Sequence, residues 1–167
     1  WVMSFAAEAG LEQQLQFPIM QLVPDAPPQI GDLPLIVEVD PDDTGLVRRV
    51  TDAFTTGNEI PPGVFDPLVA PRMFDRPEVA VYAALDEDAV TSVGIRLQVP
   101  GAVGVFGVAT PPEHRRRGLG EAITARIVVD GFAAGARSAF LGATPMGYRI
   151  YERLGFQATH VGMKLIF

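Results

Sequence analysis

Near residue 110 the hydrophobic pattern changes its period, and no other feature constrains the fold as much. Before that point Thr91, Val93, Ile95, Leu97 and Val99 alternate with Ser92, Gly94, Arg96 and Gln98, as expected of a strand with one buried face. The flanking runs 79–85 and 102–108 read as further strands. An acidic turn joins 89–99 to the first of them, and Pro100-Gly101, which fits the centre of a type II turn, joins it to the second. After that point Leu119, Ile123 and Ile127 recur every four residues within 118–134, the spacing of one helix face, and Gly135 is placed to end the helix. Residues 138–141 form a compact strand, Pro145 opens a helix that Gly155 closes, and 160–167 form a last strand. Towards the start, 33–39 is a short apolar strand. The acids at 40–43 then cap a helix that carries Leu46, Val47, Val50 and Phe54 on one side and stops at Gly57. A meander followed by alternating strands and helices predicts a mixed sheet flanked by helices, an α+β or α/β layout.

A chain of 167 residues, 48% apolar and 20% charged, suits one domain with a continuous core, and disorder is excluded. The lack of cysteine removes disulfides, thiolate nucleophiles and cysteine-built metal sites. His114 and His160 are the only histidines, too few for a histidine-rich centre, so no metal is expected. Neither G-x-S-x-G nor G-x-x-x-x-G-K-[ST] occurs, which argues against an elbow-type serine hydrolase and against a P-loop. No apolar run reaches membrane-spanning length, and the start lacks the basic-then-apolar layout of a secretory signal, so a soluble cytoplasmic protein is expected. A first residue of Trp instead of Met predicts a natural chain that begins upstream. The stretches 24–28 and 58–71 read as loops, the second broken by Pro61, Pro62, Pro67 and Pro71.

The net charge of −7 hides an asymmetry. Residues 1–90 hold 16 acidic and 4 basic residues, whereas 91–167 hold 4 and 9. Such a division suits an anionic ligand on one side and a cationic one on the other, with an unevenly charged solvated surface as the plainer alternative. The basic residues gather in one short cluster instead of along a face, which argues against nucleic acid as a partner.

That cluster, Arg115-Arg116-Arg117-Gly118-Leu119-Gly120, lies where a strand gives way to a helix. The first turn of a helix offers free N–H groups and the positive end of its dipole, and glycines let phosphate oxygens approach the backbone, so a pyrophosphate is the natural guest. As a dinucleotide fingerprint the segment is poor, because Ile123 stands where a third glycine belongs and no acid follows about 20 residues on.

Arg115-x-x-Gly118-x-Gly120 after the strand resembles the R/Q-x-x-G-x-G/A pyrophosphate loop of the GNAT superfamily of N-acetyltransferases. Some 30 residues later, Leu141-Gly-Ala-Thr-Pro-Met-Gly-Tyr-Arg-Ile-Tyr-Glu-Arg-Leu-Gly-Phe156 resembles the superfamily's second hallmark, a strand followed by a helix ending in Y-x-x-L-G-F. The resemblance spans about 33–167, taken as the domain, and leaves 1–32 as an N-terminal extension in which 17–22 resembles a strand that some members add before the domain. It implies a mostly antiparallel mixed sheet, splayed between the fourth and fifth strands, with the pantetheine arm of acetyl-CoA in the gap. Val108, Ala109 and Thr110 would then bond the arm as an added strand would. Arg115, Arg116, Arg117, Gly118, Leu119, Gly120 and Glu121 would form the pyrophosphate loop, and Thr144 would lie on the opposite strand's end. A backbone N–H within 106–108 would steady the developing oxyanion.

Tyr151 is the implied general acid for the leaving thiolate, since a phenol stays protonated at neutral pH. The alternative is a packed aromatic, because Tyr148, Tyr151 and Leu154 are spaced three apart. No acid lies on 102–108 to serve as base. Glu59 is a weak candidate for that role and reads more simply as a solvated loop carboxylate. His114 and His160 read as surface and strand residues, and Arg149, Glu152 and Arg153 as a solvated helix face. The implied acceptor is a small primary amine, cationic if the acidic half faces it. A non-catalytic acyl-CoA-binding module on the same fold is the competing reading. A homodimer through the final strands or the N-terminal segment stays open.

Overall fold

A computed structural model of the chain describes residues 12–24, 34–59 and 76–166. The alternating segments pair as seven strands: β1 (Glu12–Leu22), β2 (Leu35–Glu38), β3 (Val79–Asp86), β4 (Ala89–Val99), β5 (Ala102–Ala109), β6 (Ser138–Gly142) and β7 (Gln157–Ile166). The periodic segments form three helices, α1 (Thr44–Gly57), α2 (Leu119–Ala133) and α3 (Tyr148–Arg153). All seven strands belong to one sheet in the order β2-β3-β4-β5-β6-β1-β7. Its pairings are antiparallel except between β5 and β6, which α2 joins as a crossover.

The expected layout is therefore present, with three local differences. The strand at the N-terminus, read as an addition before 33–167, is part of the sheet. It lies inside the sheet, antiparallel to β6 on one edge and to β7 on the other, so the sheet draws strands from both sides of residue 32. With β1 counted, the parallel pair expected as strands four and five becomes β5 and β6. The last strand starts at Gln157 instead of residue 160, because β1 offers partners as far as Gln21. The helix expected from Pro145 starts at Tyr148. The Thr144 carbonyl accepts from both Gly147 N (3.1 Å) and Tyr148 N (3.0 Å), which makes 145–147 a turn. Leu33, Phe167 and most of the two proline-rich loops lie outside the described residues.

Asp43 caps α1 by accepting from Leu46 N at 2.9 Å. α3 stops in a Schellman pattern, with Phe156 N bonded to Tyr151 O (2.9 Å) and Gly155 N to Glu152 O (3.0 Å). Two cores result, one on each face of the sheet. On one face Ile123, Ile127 and Val128 of α2 pack with Tyr82, Val103, Val105, Leu141, Tyr151 and Phe156. On the other, Leu46, Val50 and Phe54 of α1 pack with Val81, Val93, Ile95 and Ala109. Within the first core the buried Tyr82 hydroxyl accepts from Arg96 Nη1 (3.0 Å) and donates to Asp130 Oδ2 (3.0 Å), which joins β3, β4 and α2. No helix among the described residues is long and apolar enough to cross a membrane.

Candidate active site

The parallel pairing of β5 with β6 runs from Ala102↔Ser138 to Val105↔Leu141 and stops there. Beyond that vertex the two strands part company. On the β4 side the register shifts between the pairs Ile95↔Phe106 and Val93↔Ala109, so three steps along β5 face two along β4, a β-bulge. Gly107 makes the bulge feasible: its φ is +55°, and an added Cβ would lie 2.9 Å from Phe54 Cε1.

The chain leaves β5 through a single 3₁₀ turn, Pro112–His114, and reaches α2 through two left-handed residues, Arg116 (φ 62°) and Gly118 (φ 76°). Nothing lies within 4 Å of a Cβ added at Gly118, so backbone conformation, not crowding, calls for glycine there. Arg116 holds a conformation that costs a non-glycine residue about 1–3 kcal/mol, a strain often found at ligand-binding loops.

A cavity of about 780 Å³ fills the space between this loop, the open end of β5 and α3. Val108, Ala109, Thr110, Arg115, Arg116, Gly118, Leu119, Gly120, Glu121, Thr144 and Tyr151 all line it. Arg117 is the exception among the residues expected here. Its guanidinium turns away to Asp86 Oδ2 of the β3–β4 hairpin (3.0 Å) and to His114 Nδ1 (3.4 Å).

The three arginines therefore separate into different situations. Arg115 is committed on all sides: Nε donates to Thr110 O (3.1 Å), Nη1 to Glu59 Oε1 (2.8 Å) and Nη2 to Gly57 O (3.0 Å). It braces the loop before α2 against the end of α1. Arg116 is exposed and makes no ion pair among the described residues, so its charge faces the cavity unneutralised.

Tyr151 is 8% exposed, and its ring meets Phe156 edge-on with centroids 6.2 Å apart. Gly147 lets the ring lie close, since a Cβ there would sit 2.8 Å from Tyr151 Cε2. Burial pushes the phenol above its ordinary pKa of 10.0. Tyr148, the alternative tyrosine, packs against the core instead of lining the cavity.

Several lining residues were not foreseen. Gly57, Asn58 and Glu59 supply a wall from the end of α1, and Met146 and Ile150 line the α3 side. Arg153, expected as part of a solvated face, borders the cavity and pairs with Glu121 Oε2 at 2.6 Å. Glu59, weighed as a base, is held by Arg115, and His160 is exposed on β7. Among the described residues no group of three or more His, Cys, Asp or Glu is placed to hold a metal ion.

The family profile described as an acetyltransferase (GNAT) domain matches residues 79–159, which carry β3 to β6, both loops and Tyr151. No curated protein matches the sequence. Among solved structures, the chain resembles a GCN5-related N-acetyltransferase from Kribbella flavida (TM-score 0.68, 19% identity, 98% of this chain and 62% of that one). It also resembles one from Sphaerobacter thermophilus (0.71, 17%, 97% and 54%). A predicted acetyltransferase with acetyl-CoA from Clostridium acetobutylicum is similar as well (0.61, 16%, 75% and 90%). At these identities the likeness is one of fold, and the chain spans less than two thirds of the Kribbella and Sphaerobacter proteins. With the profile matched across the loop and the helix that build the cavity, the chain carries an acetyltransferase domain of the GNAT family.

Proposed function

We propose that this domain moves an acetyl group from acetyl-CoA to a primary amine. One observation carries the reading: three separated segments, 108–110, 115–121 and 144–151, contribute to one cavity beside a gap in the sheet. The residues present suit the cosubstrate. Val108, Ala109 and Thr110 line the cavity at the open end of β5, where the backbone groups not turned to β4 or Arg115 can bond the pantetheine amides as a strand edge would. The N–H groups of 116–121, at the positive end of the 15-residue α2, can hold the pyrophosphate. Arg116 adds the free charge, and Arg115 shapes the loop instead of touching phosphate.

Bound acetyl-CoA supplies an activated acyl thioester. The amide N–H groups at the Gly107 bulge, freed from the β4 ladder, are positioned to stabilise charge developing on its carbonyl oxygen. Tyr151 Oη, which makes no hydrogen bond among the described residues, donates a proton to the departing sulfur. Its raised pKa keeps that proton available throughout the neutral range.

The test is turnover with a panel of amines, read as free thiol released. Acetyl-CoA binding without turnover of any amine would favour an acyl-CoA-binding module. Tyr151→Phe should lower kcat at least tenfold and leave the acetyl-CoA affinity near that of the wild type. An unchanged kcat would remove Tyr151 from the mechanism.

A further inference from the structure

Phe106 is the first residue of β5 beyond the vertex, and its ring is 41% exposed. It points to the face opposite α2. There it meets the half-buried Phe140 edge-on, with centroids 5.9 Å apart. Both rings rest over Gly104, where an added Cβ would lie 2.5 Å from Phe106 Cε2 and 2.9 Å from Phe140 Cζ. Phe17 of β1 covers Gly142 and Gly162 in the same way, at 2.7 Å in each case. The result is an aromatic surface on a glycine floor. Among the described residues, the core under α1 ends at Ala109 and takes none from β6, β1 or β7, so this surface continues outward from the vertex outside that core.

The cavity that suits acetyl-CoA is walled by α2, α3 and the end of α1, and an acceptor that approaches the vertex over β5 and β6 from the face opposite α2 passes these rings. Neither β5 nor β6 carries a titratable side chain. Three described acids of the first half are engaged elsewhere: Asp43 caps α1, Asp86 holds Arg117, and Glu59 holds Arg115. Among the described residues, these two strands offer a polycation no counter-ion beside the rings.

We infer that the acceptor is a primary amine carrying a planar apolar group, an arylalkylamine in chemical class, seated against Phe106 and Phe140. This rests on the acetyl-transfer reading above. Aromatic pairs prefer offset or edge-to-face contact, which the T-shaped Phe106–Phe140 arrangement leaves room to extend. The same surface bears on the missing base. An amine moved from water onto an apolar surface loses hydration that favours its cationic form, so the neutral nucleophile is favoured without a carboxylate to deprotonate it.

The experiment compares phenethylamine with spermidine as acceptors at saturating acetyl-CoA, in the wild type, Phe106→Ala and Phe140→Leu. Phenethylamine should have the higher kcat/KM by about tenfold or more, the range that burial of one apolar group supports. Phe106→Ala should remove most of that preference while leaving the KM for acetyl-CoA within about twofold, and Phe140→Leu should reduce it less. A preference for spermidine, or a preference unchanged in Phe106→Ala, overturns the inference alone. Failure of every amine to release thiol while acetyl-CoA still binds overturns the transferase reading and this one with it. Unaltered acetyl-CoA KM in the variants separates lost acceptor contact from misfolding.

Discussion

Replacing Arg115 by alanine tests whether the first arginine of the loop is a brace or a phosphate ligand. Its bonds to the Thr110 and Gly57 carbonyls are charge-assisted, each worth about 1.5–3 kcal/mol. The third bond reaches Glu59, which is 65% exposed and therefore adds at most about 1 kcal/mol. Water in the adjoining cavity can solvate both carbonyls once the guanidinium is gone, so the lower end applies and the loss should be about 3 kcal/mol. In urea unfolding, at a slope of about 2 kcal/mol per M, the midpoint should fall by about 1.5 M. Arg115→Lys should recover about half, since one ammonium cannot span two carbonyls in a fixed fork. Glu59→Gln should cost under about 1 kcal/mol. The decisive measurement is the salt dependence of acetyl-CoA binding. Arg115→Ala should weaken binding by loosening the cavity wall yet keep the wild-type slope, whereas Arg116→Ala should flatten it. A flattened slope with unchanged stability in Arg115→Ala would refute the brace and restore Arg115 as a phosphate ligand.

Gly107→Ala should destabilise the domain by about 1–3 kcal/mol, by overpacking against Phe54 and by forcing a side chain into positive φ, and thermal unfolding with turnover on the same samples would show whether activity falls further. Gly131→Ala should cost a similar amount with no specific effect on kinetics, because its Cβ would meet Val103 at 2.6 Å, far from the cavity. Tyr82→Phe should cost about 1–3 kcal/mol, since Arg96 and Asp130 lose a shared partner inside the core. Burial raises the Tyr82 pKa, so the folded chain keeps a proton that the unfolded chain releases above the ordinary value of 10.0. That contribution is complete below pH 10 and declines as pH rises, a decline that Tyr82→Phe should lack in alkaline unfolding curves.

Periodicity made most of the strands and helices legible, because alternation and four-residue spacing are local properties that burial enforces. The loop at 115–121 and Tyr151 stand out in the sequence only through two linked motifs, and residues of both line one cavity. Partners distant along the chain were not legible. Nothing local to Arg115 indicates that Gly57 and Glu59 receive it, and nothing near Arg117 indicates Asp86. The bulge had a visible sign, a glycine inside an apolar strand, but Gly104 carries the same sign and serves instead as a floor for aromatic rings. The place of β1 could not be read from its own residues, since it depends on edges presented by β6 and β7 from the far end of the chain.

That strand also accounts for why the gap between β5 and β6 stays open. Two parallel strands with free edges would normally continue to pair, because each unpaired buried peptide group is costly. Here each strand is held from its outer side. β6 pairs with β1 through Ile19↔Gly142, and Ala143 N continues outward to Pro18 O at 2.9 Å, which carries the end of β6 away from β5. β5 is held to β4 at Val93↔Ala109, where the Ser92 hydroxyl donates to Ala109 O (3.0 Å) and lies 2.9 Å from Thr110 Oγ1. The gap is therefore maintained by neighbours at two distances, one supplied by the meander and one by a strand from the far end of the chain. Weakening β1 should let β6 close on β5. Pro18→Gly, which frees the backbone at the point where β1 pulls β6 outward, should raise the KM for acetyl-CoA more than it lowers kcat. Equal effects on both constants would mean that the splay is set by β5 alone.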